Sequence, residues 1–356
     1  MIKIEKRNLQ AKTLLILIFF YFIVTTVNAA SSSFPPEAYR INEVPQHKQM
    51  NALLCGPGSL EIIFDFWGPD IDQKAIADVA RSSSKGTNTW DMARTGHFSY
   101  LSAANGSYFS HYAPTAGFQQ RQIGYASFNY SSETPWWNAL KALVASNIPV
   151  LLLMKYAPDD DNGHYRVIVG YDETKEVVYF IDPWDRDLGH VKNPDGTVTW
   201  TMADFKKAWN YSKYGAPHPY WGAVMMPWSI DLKTDGPTSA GSEFNVSANI
   251  TYPCPQPFDC TAFPASNTSA VIILSGMDLA EGAASQINIG DLKAGESNVV
   301  TWKVHIDHSD VSDPSIMVKA EGLVSGTVPD VIWPGIFYPA YEYTDKIGGE
   351  AGKIFH

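Results

Sequence analysis

Residues 231–243 read DLKTDGPTSAGSE, a stretch of Gly, Pro, Ser and Thr with almost no large apolar side chains, and the hydrophobic pattern differs on its two sides. Before it, apolar residues recur at helical spacing in some segments and in short continuous runs in others. After it, from 244 to about 328, alternating runs such as FNVSANITY, AVIILSG, VVTWKVHI and SIMVKAEGLV are separated by turn residues. The first pattern predicts an α+β domain over 39–230. The second predicts an all-β, immunoglobulin-like sandwich over 244–328, with 231–243 as the linker between them. The segment 329–356 holds Trp333, Phe337, Tyr338, Tyr341 and Tyr343 and is expected to pack on the sandwich. A chain of 356 residues also exceeds what one core usually serves, roughly 250–300 residues.

Residues 1–29 read as a signal peptide. Lys3, Lys6, Arg7 and Lys12 precede the apolar run LLILIFFYFIV, and Val27-Asn28-Ala29 offers a small-residue cleavage site. The run is shorter than the roughly 20 residues needed to span a bilayer, so the mature chain is expected to be secreted with no membrane span. Removing those four basic residues and Glu5 takes a net of three positive charges from a formal −11, leaving −14. Nucleic acid is a poor partner for that balance. Asn-x-Ser/Thr sequons at Asn105, Asn129, Asn210, Asn245, Asn249 and Asn267 agree with export.

Within the first region, SLEIIFDFW has Leu60, Ile63, Phe64 and Trp67 at helical spacing, with Gly68 as the stop. Thr134 and Pro135 predict the opening of a second helix, TPWWNALKALVAS. Three strands are expected in close order at 149–156, 164–172 and 176–184, joined by the turn sequences DDDNG and DETKE and therefore antiparallel. A further helix, MADFKKAWNYS, is expected to be capped by Thr201, and the strand WGAVMMPW closes the region.

The three cysteines divide unevenly. Cys254 and Cys260 lie six apart in YPCPQPFDC, a plausible small-loop disulfide in an oxidising compartment, which leaves Cys55 alone. A thiol attacks only as thiolate, and the start of an amphipathic helix lowers its pKa because free N–H groups and the dipole favour an anion. CGPGS places Cys55 at such a start, where Pro57 loses nothing by lacking an N–H and Gly56 would let a substrate approach the backbone. A small buried cysteine filling the core is the bland alternative. Gln49, six residues upstream, is near enough to join the backbone N–H of Cys55 in stabilising an oxyanion, although alone it would pass for an ordinary surface residue. His164 opens one expected strand and Asp182 ends the next. If those strands pair, imidazole and carboxylate meet, and His164 can serve Cys55 as a base. Seen by itself, His164 reads better as a hydrogen-bonded strand-end residue and Asp182 as a turn former before Pro183.

Other candidates are weaker. His97 and His111 lie in a polar region, His190 and His218 in loops, and His305 and His308 in the β region, with no zinc spacing among them. Asp159, Asp160, Asp161 and Asn162 read as a solvated acidic turn in preference to a calcium site. No metal is expected.

VPQHKQMNALLCGPGSLEIIFDFWG, GHYRVIVGYD and VYFIDPW together resemble the papain-like cysteine peptidases of the bacteriocin-processing type, cysteine peptidase family 39 and its relatives, over about residues 40–230. The resemblance implies a papain-like α+β fold, Gln49 as oxyanion donor, Cys55 as nucleophile, His164 as general base and acid, Asp182 as the orienting group, and no cofactor. It implies a peptide or protein substrate, with a cell surface as one expected place of action. The family's exporter-fused members cleave leaders after two glycines. No transporter accompanies this domain, so that role is not carried over. The segment 85–132 is expected to shape the cleft. An extracellular binding or adhesion protein that keeps the shell without turnover is the competing expectation, and acyl transfer to an amine is a third.

Overall fold

In the stretch HYRVIVGYD every residue is buried, and this run forms most of β4 (Gly163–Asp172). A strand that reads apolar without alternation must be covered on both faces, and it becomes the centre of the first sheet. The computed structural model describes residues 34–355 apart from 69–70, 98–123, 185–189, 214–218, 237–240, 260, 262 and 307–313. The expected signal peptide, most of the 85–132 segment, the Asn105 sequon, His111, His218, His308 and Cys260 with its expected pairing lie outside the described residues.

β4 pairs with β3 (Val150–Lys155) on one side and β5 (Val177–Ile181) on the other, both antiparallel. A short strand, β1 (Ala38–Arg40), adds to the C-terminal end of β4. The sheet continues through β8 (Gly222–Met226) to β2 (Ala126–Tyr130), and beyond β5 through β7 (Val198–Thr201) to β6 (Val191–Lys192). Helix α1 (Cys55–Trp67) packs on β4 and on the short α2 (Gln73–Val79), and it turns Leu60, Ile62, Ile63 and Phe64 into the core. The α+β fold with an antiparallel sheet is thus as expected.

Two local expectations need adjusting. Helix α4 (Trp137–Ala145), which follows α3 (Thr89–Thr95), begins after Pro135, because Trp136 is drawn out of helical geometry and its indole donates to the Tyr220 carbonyl at 2.6 Å. Gly56 is buried with Met92 Sδ 2.8 Å from where a Cβ would stand, so its smallness serves packing against Met92 and not the approach of a substrate. The expected cap of α5 (Met202–Trp209) is present, the Thr201 hydroxyl accepting from Asp204 N–H at 3.1 Å.

The C-terminal part is a sandwich of two four-stranded sheets. One runs β12 (Asp278–Leu279), β14 (Ser297–His305), β10 (Glu243–Thr251), β9 (Ser229–Asp235). The other runs β13 (Gln286–Leu292), β11 (Ala265–Ser275), β15 (Ser315–Val328), β18 (Tyr341–Ile354). The strand-rich second part agrees with expectation, but its limits are wider. Residues 231–235, read as linker, belong to β9, whose alternating exposed and half-buried residues make a polar edge without the apolar signal of a strand. Residues 341–354, read as a packed tail, form β18 and pair along its length with β15.

The two parts share one core, running from Ile41 to Ile347, and Phe34–His356 form a single compact unit. Gly124 and Ile347 bridge the first part to β18, with Gly124 N–H donating to Lys346 O at 2.8 Å. Trp228 stacks on Tyr252 across the boundary, 4.9 Å between rings. Buried charges stitch the same seam. Arg81 donates to Asp91 at 2.7 Å and to the Pro339 carbonyl at 3.0 Å. Arg94 on α3 reaches Asp345 on β18 at 2.7 Å, and Tyr343 lies under its guanidinium. Finally, β16 (Val331–Trp333) and β17 (Ile336–Tyr338) form a separate hairpin that packs on Trp90 of α3, with the Tyr338 hydroxyl donating to Ser83 at 2.6 Å.

Candidate active site

Three elements converge at the N-terminus of α1. Cys55 is the first residue of the helix, and Leu54 before it offers no side-chain cap, so no capping group competes for the helix's leading N–H groups. His164 is the second residue of β4. Asp182 directly follows β5, where Val167 lies opposite Ile181. That register sets Asp182 beside the start of β4, the neighbourhood the hairpin reading required.

The side chains stand in a row. The Cys55 thiol interacts with the His164 imidazole. His164 Nε2 lies 2.7 Å from Asp182 Oδ1, so Nδ1 is the nitrogen left to serve the sulfur. Asp182 Oδ1 also accepts from Trp184 N–H at 2.9 Å, and Oδ2 accepts from Arg166 Nε at 2.7 Å. His164, Asp182 and Arg166 are buried, while Cys55 is half-buried and lines a cavity of about 450 Å³. The ring of Tyr156 stands edge-on to His164 at 5.4 Å.

Electrostatics follow from this arrangement. Burial pushes the Cys55 thiol up, but the hydrogen bond and charge of His164 and the Tyr165 backbone outweigh it, leaving the thiol below its ordinary value. Burial favours a neutral His164 ring and Arg166 opposes its charge. Asp182, by charge and hydrogen bond, reverses the balance and raises His164. For Asp182, burial is overcome by Arg166 and His164, and its carboxyl is held far below the usual range. A lowered thiol beside a raised imidazole is the setting of a thiolate–imidazolium pair.

Gln49 sits close by but is differently engaged. It is buried against Gly58 of α1, its backbone N–H donates to Pro183 O at 2.7 Å, and its Nε2 donates to Asn51 O at 2.6 Å. Its Oε1 has no hydrogen-bond partner among the described residues. The Pro183 link ties the Gln49 loop to the turn that carries Asp182.

Other expected candidates lie elsewhere. His97 is buried 3.6 Å from Asp345 at the seam, and His190 lies tilted against Trp200, 4.4 Å between ring centres. The acidic turn is tied down by lysines, Lys207 to Asp159 and Lys213 to Asp161. Arg166 escaped the sequence reading. Its signal was an arginine inside an otherwise apolar strand, two residues from His164 and therefore on the same face. Its Nη1 and Nη2 donate to the carbonyls of Lys155 (3.1 Å) and Tyr156 (2.7 Å), which accounts for the buried cation. Gly163 is required where it stands, since a Cβ there would lie 2.7 Å from the Tyr211 hydroxyl.

Residues 41–217 match the peptidase C39-like family. No curated protein sequence matches the chain. Among solved structures, a double glycine motif protease from an AMS/PCAT transporter, in complex with its leader peptide, is 17% identical with a TM-score of 0.32, over 53% of this chain and 94% of that one. Xylellain, a cysteine protease from Xylella fastidiosa, is 12% identical with a TM-score of 0.32, over 54% of this chain and 86% of that one. Residues 41–217, in which a thiol, an imidazole and a carboxylate gather at one helix start, form a cysteine peptidase domain that matches the C39-like family.

Proposed function

We propose that the protein is an exported peptidase acting through Cys55, His164 and Asp182. The row of groups from the cavity-lining sulfur to His164, and from His164 by a 2.7 Å hydrogen bond to Asp182, carries the reading. The Cys55 thiolate attacks the scissile carbonyl carbon. The oxyanion that forms is held by the Cys55 N–H and by the Nε2 hydrogen of Gln49 that Asn51 does not occupy. Imidazolium at His164 gives its proton to the leaving amine, and the C–N bond breaks to leave a thioester on Cys55. His164 then takes a proton from water, the hydroxide adds to the thioester, and the acid product departs as the thiolate re-forms. Asp182 keeps Nδ1 of the ring turned to the sulfur throughout.

Export is supported by the basic, apolar and small-residue order of residues 1–29, by the sequons, and by the Cys254–Cys260 spacing. The substrate class that follows is extracellular peptide or protein. No helix among the described residues is long and apolar enough to cross a membrane. Iodoacetamide labelling of the mature protein near neutral pH, with Cys55→Ala as control, tests the reading alongside peptide hydrolysis. Fast labelling at Cys55 together with Cys55-dependent cleavage is expected. A thiol no faster than an ordinary exposed one, with no turnover, would make the domain a binding shell.

A further inference from the structure

The cavity beside Cys55 is not built by the peptidase segment alone. Its walls include Leu53 from the loop before α1, Leu153 from β3 and Tyr165 from β4, and they are completed by Trp333 and Pro334. These last two come from the tip of the β16–β17 hairpin, far outside residues 41–217. Pro334 followed by Gly335 at φ +85° is the sequence of a type II turn, and it fixes the tip. The base of the hairpin is anchored rigidly. Val331 and Tyr338 are buried, Tyr338 bonds to Ser83, and Trp333 stands edge-on to Tyr338 at 5.6 Å between rings.

Trp333 carries an anomaly. It is 5% exposed, yet its indole N–H finds no acceptor among the described residues. A buried indole usually finds a partner. The nitrogen is itself out of contact with solvent, so a ligand in the cavity of the nucleophile meets other atoms of Trp333 and not this donor. Leu53, Leu153, Tyr165 and Pro334 supply the apolar part of a wall that also holds Lys85, Asp161 and Asn162.

We propose that Trp333 is a specificity-determining residue: the hairpin clamps the substrate peptide against the cleft, Trp333 and Pro334 packing on a large apolar side chain near the scissile bond. The inference rests on Cys55 being the nucleophile of this cavity. It assigns the C-terminal part a share in substrate recognition.

Peptidyl chloromethyl ketones carrying Phe, Leu or Gly at each of the two positions nearest the reactive group would be timed for labelling of Cys55 in the full-length mature protein. Each rate is divided by the iodoacetamide rate of the same variant. Wild type should favour Phe or Leu over Gly by about 10-fold or more at one position. Trp333→Ala should lose that preference, its iodoacetamide rate remaining within about 2-fold of wild type because the Cys55–His164 pair is untouched. Trp333→Leu, which keeps the hairpin apolar but removes the ring, should reduce the preference several-fold, and it carries the test should the alanine variant not fold. A wild type without apolar preference, or variants that keep its rates and ratios, would overturn the assignment. Inert Cys55 towards iodoacetamide in the wild type is a different failure, that of the nucleophile itself.

Discussion

Arg166 Nε donates to the oxygen of Asp182 that His164 does not use, at 2.7 Å and out of contact with solvent. The carboxylate is therefore held from both sides: one oxygen orients the imidazole, and the other is fixed by a cation whose two Nη groups each donate to a backbone carbonyl. Because both charges are buried, removing either leaves the other without compensation.

Arg166→Met should destabilise the protein by about 3–5 kcal/mol, the usual range for breaking a buried pair, and should lower kcat by more than it raises KM. Arg166→Lys keeps a charge but not the fork, and should fall between. Urea unfolding and steady-state peptide hydrolysis report the two effects. A variant as stable and as active as wild type would remove Arg166 from the site.

Asp182 also sets acid stability. Its folded pKa is lowered, so its stabilising contribution is present above the unfolded carboxylate value, about 3.9, and is lost as pH falls through the lowered folded value. Arg166→Met should move the acid-unfolding midpoint to higher pH. Circular dichroism from pH 6 downwards would show it, and an unchanged midpoint would contradict the coupling.

The thiol has a pH signature of its own. Cys55 is lowered and His164 raised, so wild-type alkylation should persist well below the ordinary thiol pKa of about 8.5. In His164→Ala the helix start remains but the opposing charge and hydrogen bond are gone. Burial then dominates, and the alkylation midpoint should move upwards. Rates of iodoacetamide labelling from pH 5 to 10 decide it. A midpoint shared by both proteins would exclude the ion pair.

Asp182→Asn should reduce turnover by roughly 10²–10⁴-fold, because an amide holds the ring in the wrong tautomer. Unchanged kcat at neutral pH would dismiss Asp182 from its orienting role.

The seam between the two parts should make them melt as one. Arg94→Met leaves Asp345 buried without its cation and should cost about 3–5 kcal/mol, although neither residue lines the cavity of Cys55. Differential scanning calorimetry should show a single transition, lowered in the variant. Two separate transitions would mean that the parts fold independently.

The site was legible in the sequence to the extent that local geometry dictates it. A cysteine at a helix start, and a histidine and aspartate at adjoining ends of a hairpin, follow from helix and strand periodicity together with one short turn. Arg166 was not legible, because an arginine in an apolar run reads as an edge or a boundary until its three acceptors are seen. Gln49 was found, but not its engagement with Asn51, which depends on the path of the loop. The limits of the second part were misjudged for a related reason: β9 carries no apolar signal, and β18 holds three glycines and several charges, so nothing short of its pairing with β15 marks it as a strand. Trp333 entered the sequence reading only as one aromatic in a tail, since a contact across the whole length of the chain leaves no local trace.

The hairpin also carries an implication for biosynthesis. Ribosomes deliver residues 331–338 long after Cys55 has emerged, so a nascent or clipped polypeptide has a sulfur but lacks the far side of its trench. Under the proposed role of Trp333, full substrate discrimination waits until that hairpin has docked.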